Sequence, residues 1–165
     1  YRKIHLFDVE LPDGTALLES RSILPGDELV TSAITGNNET WCVGLSICYD
    51  LRFPEMYRAL RAKGAHALTI PAAFTMPTGH EHWHALLRAR AIENQCYVLA
   101  PNQWGKHEVG RSSYGQSAIY DPWGRLLASA PERDSVITAE LDMGYLSRVR
   151  QRMPCHDHRR IDDNE

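Results

Sequence analysis

Cys48 closes the apolar run of VGLSICYDLRFPE and is followed at once by polar and charged residues, the edge at which a thiol nucleophile would sit. The thiolate is the reactive form, and an unperturbed thiol, with a pKa of about 8.5, supplies little of it at neutral pH. At a corner between strand and helix the thiol would meet backbone N–H groups that favour the thiolate and can hold an oxyanion. A lone cysteine in an apolar run is otherwise an inert structural residue. Two further residues bear on that choice. Lys3 lies in YRKIHLFD among Ile4, Leu6 and Phe7, on a stretch expected to form a strand carrying one cation, and Glu19 follows the apolar pair Leu17 and Leu18. Taken singly, each reads as a surface charge. An ammonium roughly 4 Å from a thiol, however, is worth on the order of 4 kcal/mol at an effective dielectric of about 20, or about 3 pKa units before desolvation is subtracted. Even half of that would make thiolate the majority form.

The elements that must position these groups follow from local pattern. Val43, Leu45 and Ile47 alternate with small residues as a mostly buried strand does, and Asp50, Arg52 and Pro54-Glu55 open a segment reading as helix through Arg61 and Lys63, capped by Gly64. Residues 27–40 read as a strand and turn leading into the Cys48 strand, and 67–70 and 96–100 as short buried strands. A helix is expected over 82–94, with Trp83, Leu86, Leu87 and Ile92 giving its apolar spacing, and another over 143–152. Residues 117–120, 126–129 and 136–141 read as strands, the first two joined by the turn Asp121-Pro122-Trp123-Gly124. Early alternation of strand and helix with a late antiparallel run predicts a mixed α/β sheet covered by helices.

Composition narrows the function classes. The 165 residues are 43% hydrophobic with a net charge of −3, ordinary for a folded domain, and Lys and Arg cluster only in the tail, which argues against nucleic acid. The chain contains neither an apolar run of membrane-spanning length nor a signal-peptide pattern, so no membrane partner is expected. Cysteines 42, 48, 96 and 155 form no close-spaced metal or disulfide framework, which suits a reducing cytoplasm.

The order Lys3, Glu19, Cys48-Tyr49-Asp50 resembles the nitrilase superfamily of carbon–nitrogen hydrolases. YRKIHLFD is similar to its lysine motif and GLSICYDLRFPE to its cysteine motif, with IPAAF, HWHALLRARAIENQCYV, SYGQS and DPWG following in family order. Within the superfamily the resemblance is to the Nit branch of deaminated-glutathione amidases and ω-amidases. It implies the C-terminal portion of a four-layer α-β-β-α sandwich: residues 1–153 as a carbon–nitrogen hydrolase domain lacking its N-terminal part, and 154–165 as a tail. It implies an amidase acting through a Cys48 thioester on a small carboxylate-bearing ω-amide, such as deaminated glutathione or an α-keto acid amide, with release of ammonia. No cofactor or metal is implied. Lys3 and the Tyr49 backbone N–H would hold the oxyanion, and Glu19 would hold Lys3. Arg52 would read the substrate carboxylate, the competing reading being a salt bridge to Asp50 or Glu55, while Phe74 and Thr78 would line the pocket. The family's general-base glutamate lies upstream of the lysine motif, so the chain is expected to be inactive until its missing N-terminal portion is supplied. Assembly as a homodimer or larger even-numbered oligomer is also implied, and Met56, Tyr57 and Leu60 would form a helix face suited to it.

Three features stand apart from that pattern. His80-Glu81-x-x-His84 satisfies the H-E-x-x-H pattern of a zinc hydrolase, although His80 directly follows Thr78-Gly79 and no third ligand is signalled. His84 and Gln116 stand where the branch commonly has an acidic residue and a histidine, which bears on substrate identity. Arg88, Arg90 and Glu93 read as a structural ion network. A non-catalytic binding or assembly module of the same fold is the remaining alternative.

Overall fold

The apolar runs on either side of Cys48 become neighbouring strands of one sheet. A computed structural model describes residues 1–10, 14, 16–36, 38–107 and 111–161. At the sheet's centre β4 (Glu39–Leu45), β5 (Ala67–Thr69) and β6 (Tyr97–Ala100) run parallel, Val43 opposite Ala67 and Ala67 opposite Tyr97. Strand β3 (Thr31–Gly36) flanks them antiparallel on one side; on the other, β9 (Ala118–Tyr120) pairs antiparallel with β6 and β10 (Leu126–Ser129) antiparallel with β9, giving the order β10-β9-β6-β5-β4-β3. Two hairpins stand outside this sheet: β1 (Asp8–Glu10) with β2 (Ala16–Leu18), and β7 (Trp104–Lys106) with β8 (Ser112–Tyr114).

Parallel neighbours need crossovers, and here they are helical. Helix α1 (Pro54–Ala62) links β4 to β5; the single turn α2 (Met76–Thr78), a wide turn over Gly79–Trp83 and α3 (His84–Asn94) link β5 to β6. Leu51, Tyr57, Leu60, Leu68, Trp83, Leu87 and Val98 form the main core. Met56, Tyr57 and Leu60 are 4%, 0% and 0% exposed, so the α1 face expected to meet a second copy is spent on the chain's own sheet. Each such burial stabilises by about 1.5–3 kcal/mol, which is why the face turns inward. The opposite sheet face, with Val43, Ala67 and Tyr97, is partly covered by Leu146 of α4 (Met143–Arg152).

Three local expectations are corrected. Lys3 is not on a strand, because the N–H groups of His5 and Phe7 go to the carboxylates of Asp50 and Glu19 instead of a neighbouring strand. Asp50 and Arg52 belong to a separate 3-10 turn, Cys48–Arg52, and the α-helix begins only at Pro54, where a missing N–H costs nothing. Residues 136–141 pair with no strand among the described residues, and Val136 is 90% exposed. The turn at Asp121 is as expected: its Oδ1 accepts from the N–H groups of Trp123 and Arg125 at 2.9 and 2.8 Å.

One glycine joins the loop after β5 to the β7–β8 hairpin. A Cβ on Gly79 would overlap the Tyr114 ring, and the same loop is pinned by Tyr114 N–H to the Phe74 carbonyl at 2.9 Å. Gly79→Ala should therefore push the hairpin away from the loop and cost roughly 1–3 kcal/mol, read as a lowered urea midpoint.

Candidate active site

The carboxylate of Asp50, 0% exposed, accepts four hydrogen bonds: from Tyr1 Oη at 2.7 Å, His5 N–H at 2.9 Å, His5 Nδ1 at 2.8 Å and Ile47 N–H at 2.8 Å. Two of its partners flank Lys3 in sequence and the fourth immediately precedes Cys48. One buried charge thus ties the N-terminal segment to the turn that carries the thiol. The His5 ring also stacks on Phe53, centroids 3.6 Å apart, just past that turn. Arg90 secures the turn from below, its Nε and Nη2 donating to the Leu51 carbonyl at 3.0 and 2.7 Å while Nη1 pairs with Glu93 at 2.8 Å. Arg88 donates to the Gly124 carbonyl, so these arginines hold backbone in place, as expected of a structural network.

A second carboxylate sets the lysine. Glu19, at the start of a 3-10 turn after β2, accepts from Lys3 Nζ at 2.5 Å and from Phe7 N–H at 2.7 Å. Lys3 is 7% exposed. A cavity of about 680 Å³ is lined by Lys3, Glu19, Cys48, Arg52, Phe74 and Thr78, with Tyr49 beside them. The residues that the family resemblance marks for the site therefore meet in one place, although they come from the N-terminal segment, the β2 end, the β4 end and the loop after β5.

Within the cavity each group has a definite setting. Cys48 has a left-handed backbone, φ +50°, and its own N–H is spent on the Pro71 carbonyl at 2.9 Å. Tyr49 follows in the first turn, where N–H groups are not consumed by the turn itself. Arg52 pairs with neither Asp50 nor Glu55 among the described residues; its guanidinium lies 5.4 Å from the Phe74 ring centroid and 5.9 Å from that of Tyr49, with His82 Nδ1 at 3.3 Å. Phe74 is buried against Trp83, and its N–H donates to Asn102 Oδ1 at 3.0 Å. Thr78 Oγ1 shares a hydrogen bond with Thr75 Oγ1 at 2.8 Å.

The electrostatic expectation for Cys48 is reversed. Burial pushes the thiol above its ordinary value, and this outweighs the downward pull of the Ala73 N–H and then of Lys3, while Glu19 and Asp50 push the same way as burial. The thiol is the majority form at neutral pH. The Ala73 N–H, on the loop after β5, was not anticipated as a thiolate partner, and nothing in the sequence marks it.

The H-E-x-x-H reading finds no support in the side chains. His80 and Glu81 are exposed and bond each other at 2.9 Å, His84 Nδ1 is bonded to Tyr120 Oη at 2.8 Å, and no three His, Cys, Asp or Glu side chains among the described residues are gathered as a ligand set. His84 and Gln116 do not line the cavity; burial lowers the His84 pKa, and Gln116 accepts from Ser129 Oγ at 3.2 Å.

A cysteine, a lysine–glutamate pair and an arginine with no carboxylate partner among the described residues, around one cavity on this mixed α/β sheet, define a class, and comparison with known proteins gives the same one. The chain belongs to the carbon-nitrogen hydrolase family, which residues 1–151 match. It is 49% identical over 162 residues to a deaminated glutathione amidase of Synechocystis sp., a match taking in 96% of this chain and 58% of that relative. Among solved structures, the NitFhit protein of Caenorhabditis elegans superposes with a TM-score of 0.88 at 46% identity, over 97% of this chain and 38% of that one. An amidase from Nesterenkonia sp. AN1, with acrylamide added at its active site cysteine, superposes with a TM-score of 0.70 at 27% identity, over 93% and 56% of the two chains. The chain spans about half the length of the curated relatives it matches.

Two outcomes test this geometry. Asp50→Ala strands several buried donors and should cost about 3 kcal/mol in urea unfolding; Asp50→Asn, which sets an amide donor against them, should cost part of that. Because burial raises the Cys48 thiol above its ordinary value, its alkylation by iodoacetamide should still be rising with pH in the alkaline range where an ordinary thiol has levelled off. Lys3→Gln removes a downward pull on the thiol and should slow alkylation at every pH in that range, read on the Cys48 peptide by mass spectrometry.

Proposed function

We propose that the protein containing this chain is a cysteine-dependent amidase acting on a small ω-amide that bears a free carboxylate, of the deaminated-glutathione or α-keto acid amide type. The observation that carries the reading is the meeting around one cavity of the Cys48 thiol, the Lys3 ammonium and the Arg52 guanidinium, which has no carboxylate partner among the described residues. It is supported by the amidase relatives and by the adduct on the active site cysteine of the Nesterenkonia enzyme.

In this mechanism Cys48 Sγ forms a bond to the amide carbon while the carbonyl π pair moves onto oxygen. Lys3 Nζ and the Tyr49 N–H face that oxygen, contributing a few kcal/mol of stabilisation that arises as the charge develops. The carbon–nitrogen bond then breaks, the leaving nitrogen takes the proton that came from the thiol, and a thioester remains. Water attacks the thioester, releasing the acid and restoring the thiol. The leaving group is ammonia for a primary ω-amide; for deaminated glutathione it is the amine of a dipeptide.

A raised thiol pKa makes a proton acceptor essential. Glu19 is committed to Lys3, and Asp50 to its four donors. In this reading the acceptor is a further carboxylate, since neither of these two is free to take the proton. The reaction is assigned to a reducing compartment, the cytoplasm, since all four cysteines are unpaired thiols. No described helix is long and apolar enough to cross a membrane.

The full-length protein mixed with substrate should gain the mass of the acyl group on the Cys48 peptide. Cys48→Ala should lose at least about a thousandfold in kcat, and Lys3→Gln about a hundred- to a thousandfold. Activity that survives thiol alkylation and falls with a chelator would replace this reading by zinc hydrolysis.

A further inference from the structure

Among the described residues, four charged side chains line the cavity: Lys3, Glu19, Arg52 and Arg111. Lys3 and Glu19 neutralise each other, leaving two guanidiniums with no carboxylate opposite them among the described lining residues. One carboxylate on the substrate, taken by Arg52, leaves the second guanidinium unanswered. Arg111 is exposed and immediately precedes β8, at the loop end of the β7–β8 hairpin. Its backbone is fixed: the His107 N–H donates to the Arg111 carbonyl at 2.7 Å, and His107 Nε2 meets Ser113 Oγ at 2.6 Å. A bridge between Thr75 and Ser113 then ties this hairpin to the loop carrying Phe74 and Thr78. Arg111 thus rides on the same wall that shapes the pocket.

Where the two guanidiniums stand also separates their tasks. Arg52 is half-buried, four residues after the thiol in the same turn, its guanidinium near the Tyr49 and Phe74 rings, so it faces the part of the substrate that stays bound as the thioester. The amine that departs first must leave toward solvent, past the rim. We propose that Arg111 binds a carboxylate on the leaving-group side, so that the preferred substrate is a dianion, with one carboxylate on the acyl part read by Arg52 and another on the departing amine read by Arg111. This rests on the amidase reading above and names a recognition site on the hairpin side of the cavity.

The test uses the full-length protein and three substrates: deaminated glutathione, the same molecule with its glycine carboxylate capped as an amide, and α-ketoglutaramate, whose leaving group is ammonia. The parent should favour the free acid over the capped form by about tenfold in kcat/KM, carried mainly by KM, a difference that a guanidinium–carboxylate contact worth about 1.4 kcal/mol supplies. Arg111→Gln should erase that preference and leave the capped substrate and α-ketoglutaramate within about twofold of the parent. Arg111→Lys, which keeps the charge, should retain part of it. A preference that survives Arg111→Gln, or an equal loss on all three substrates, overturns the assignment of Arg111 while leaving the amidase reading intact. No turnover of any of the three by the parent overturns that reading and this inference with it.

Discussion

The Asp50 carboxylate is buried completely and takes its hydrogen bonds from Tyr1, His5 and Ile47. A carboxylate removed from water costs several kcal/mol unless donors surround it, and charge-assisted bonds of about 1.5–3 kcal/mol each are what make the arrangement tolerable. Those donors lie on two stretches of chain more than forty residues apart, so satisfying one charge forces the stretches together. Lys3 is carried along between Tyr1 and His5. The distance between ammonium and thiol is therefore set by a group that lines no part of the cavity.

The cavity is arranged more for holding developing charge than for ionising the resting thiol. Burial dominates at Cys48, and the lysine that would draw out the proton is itself paired with Glu19. A neutralised pair pulls weakly on a thiol at rest. In the proposed reaction an oxyanion forming against Lys3 Nζ would meet an ammonium already held in place by Glu19. Burial keeps the thiol protonated, and the ion pair with Glu19 presets the lysine.

Much of this was legible in the residues, and the failures have physical causes. The central strands and the bodies of the helices over 54–62 and 143–152 follow from apolar spacing, because that signal is local. Cys48, Lys3, Glu19, Arg52, Phe74 and Thr78 were found through motif order, which encodes their meeting without giving any distance. Asp50 was visible only as a polar residue after the thiol: a side chain that satisfies backbone N–H groups forty-five residues away leaves no periodic trace. The same bonds turned the Lys3 stretch away from a strand, since its amides found carboxylates in place of a ladder. The β7–β8 hairpin escaped because its strands are three residues each and largely polar. The α1 face was misassigned because an apolar stripe looks the same whether its own sheet or a second molecule covers it.

The left-handed backbone at Cys48 bears on how such a residue can be kept at all. A side chain in that conformation costs about 1–2 kcal/mol relative to glycine. That preference for glycine is opposed by the packing of the side chain against the main core. The contacts that withdraw the sulfur from water therefore also hold a non-glycine residue in a conformation its backbone disfavours.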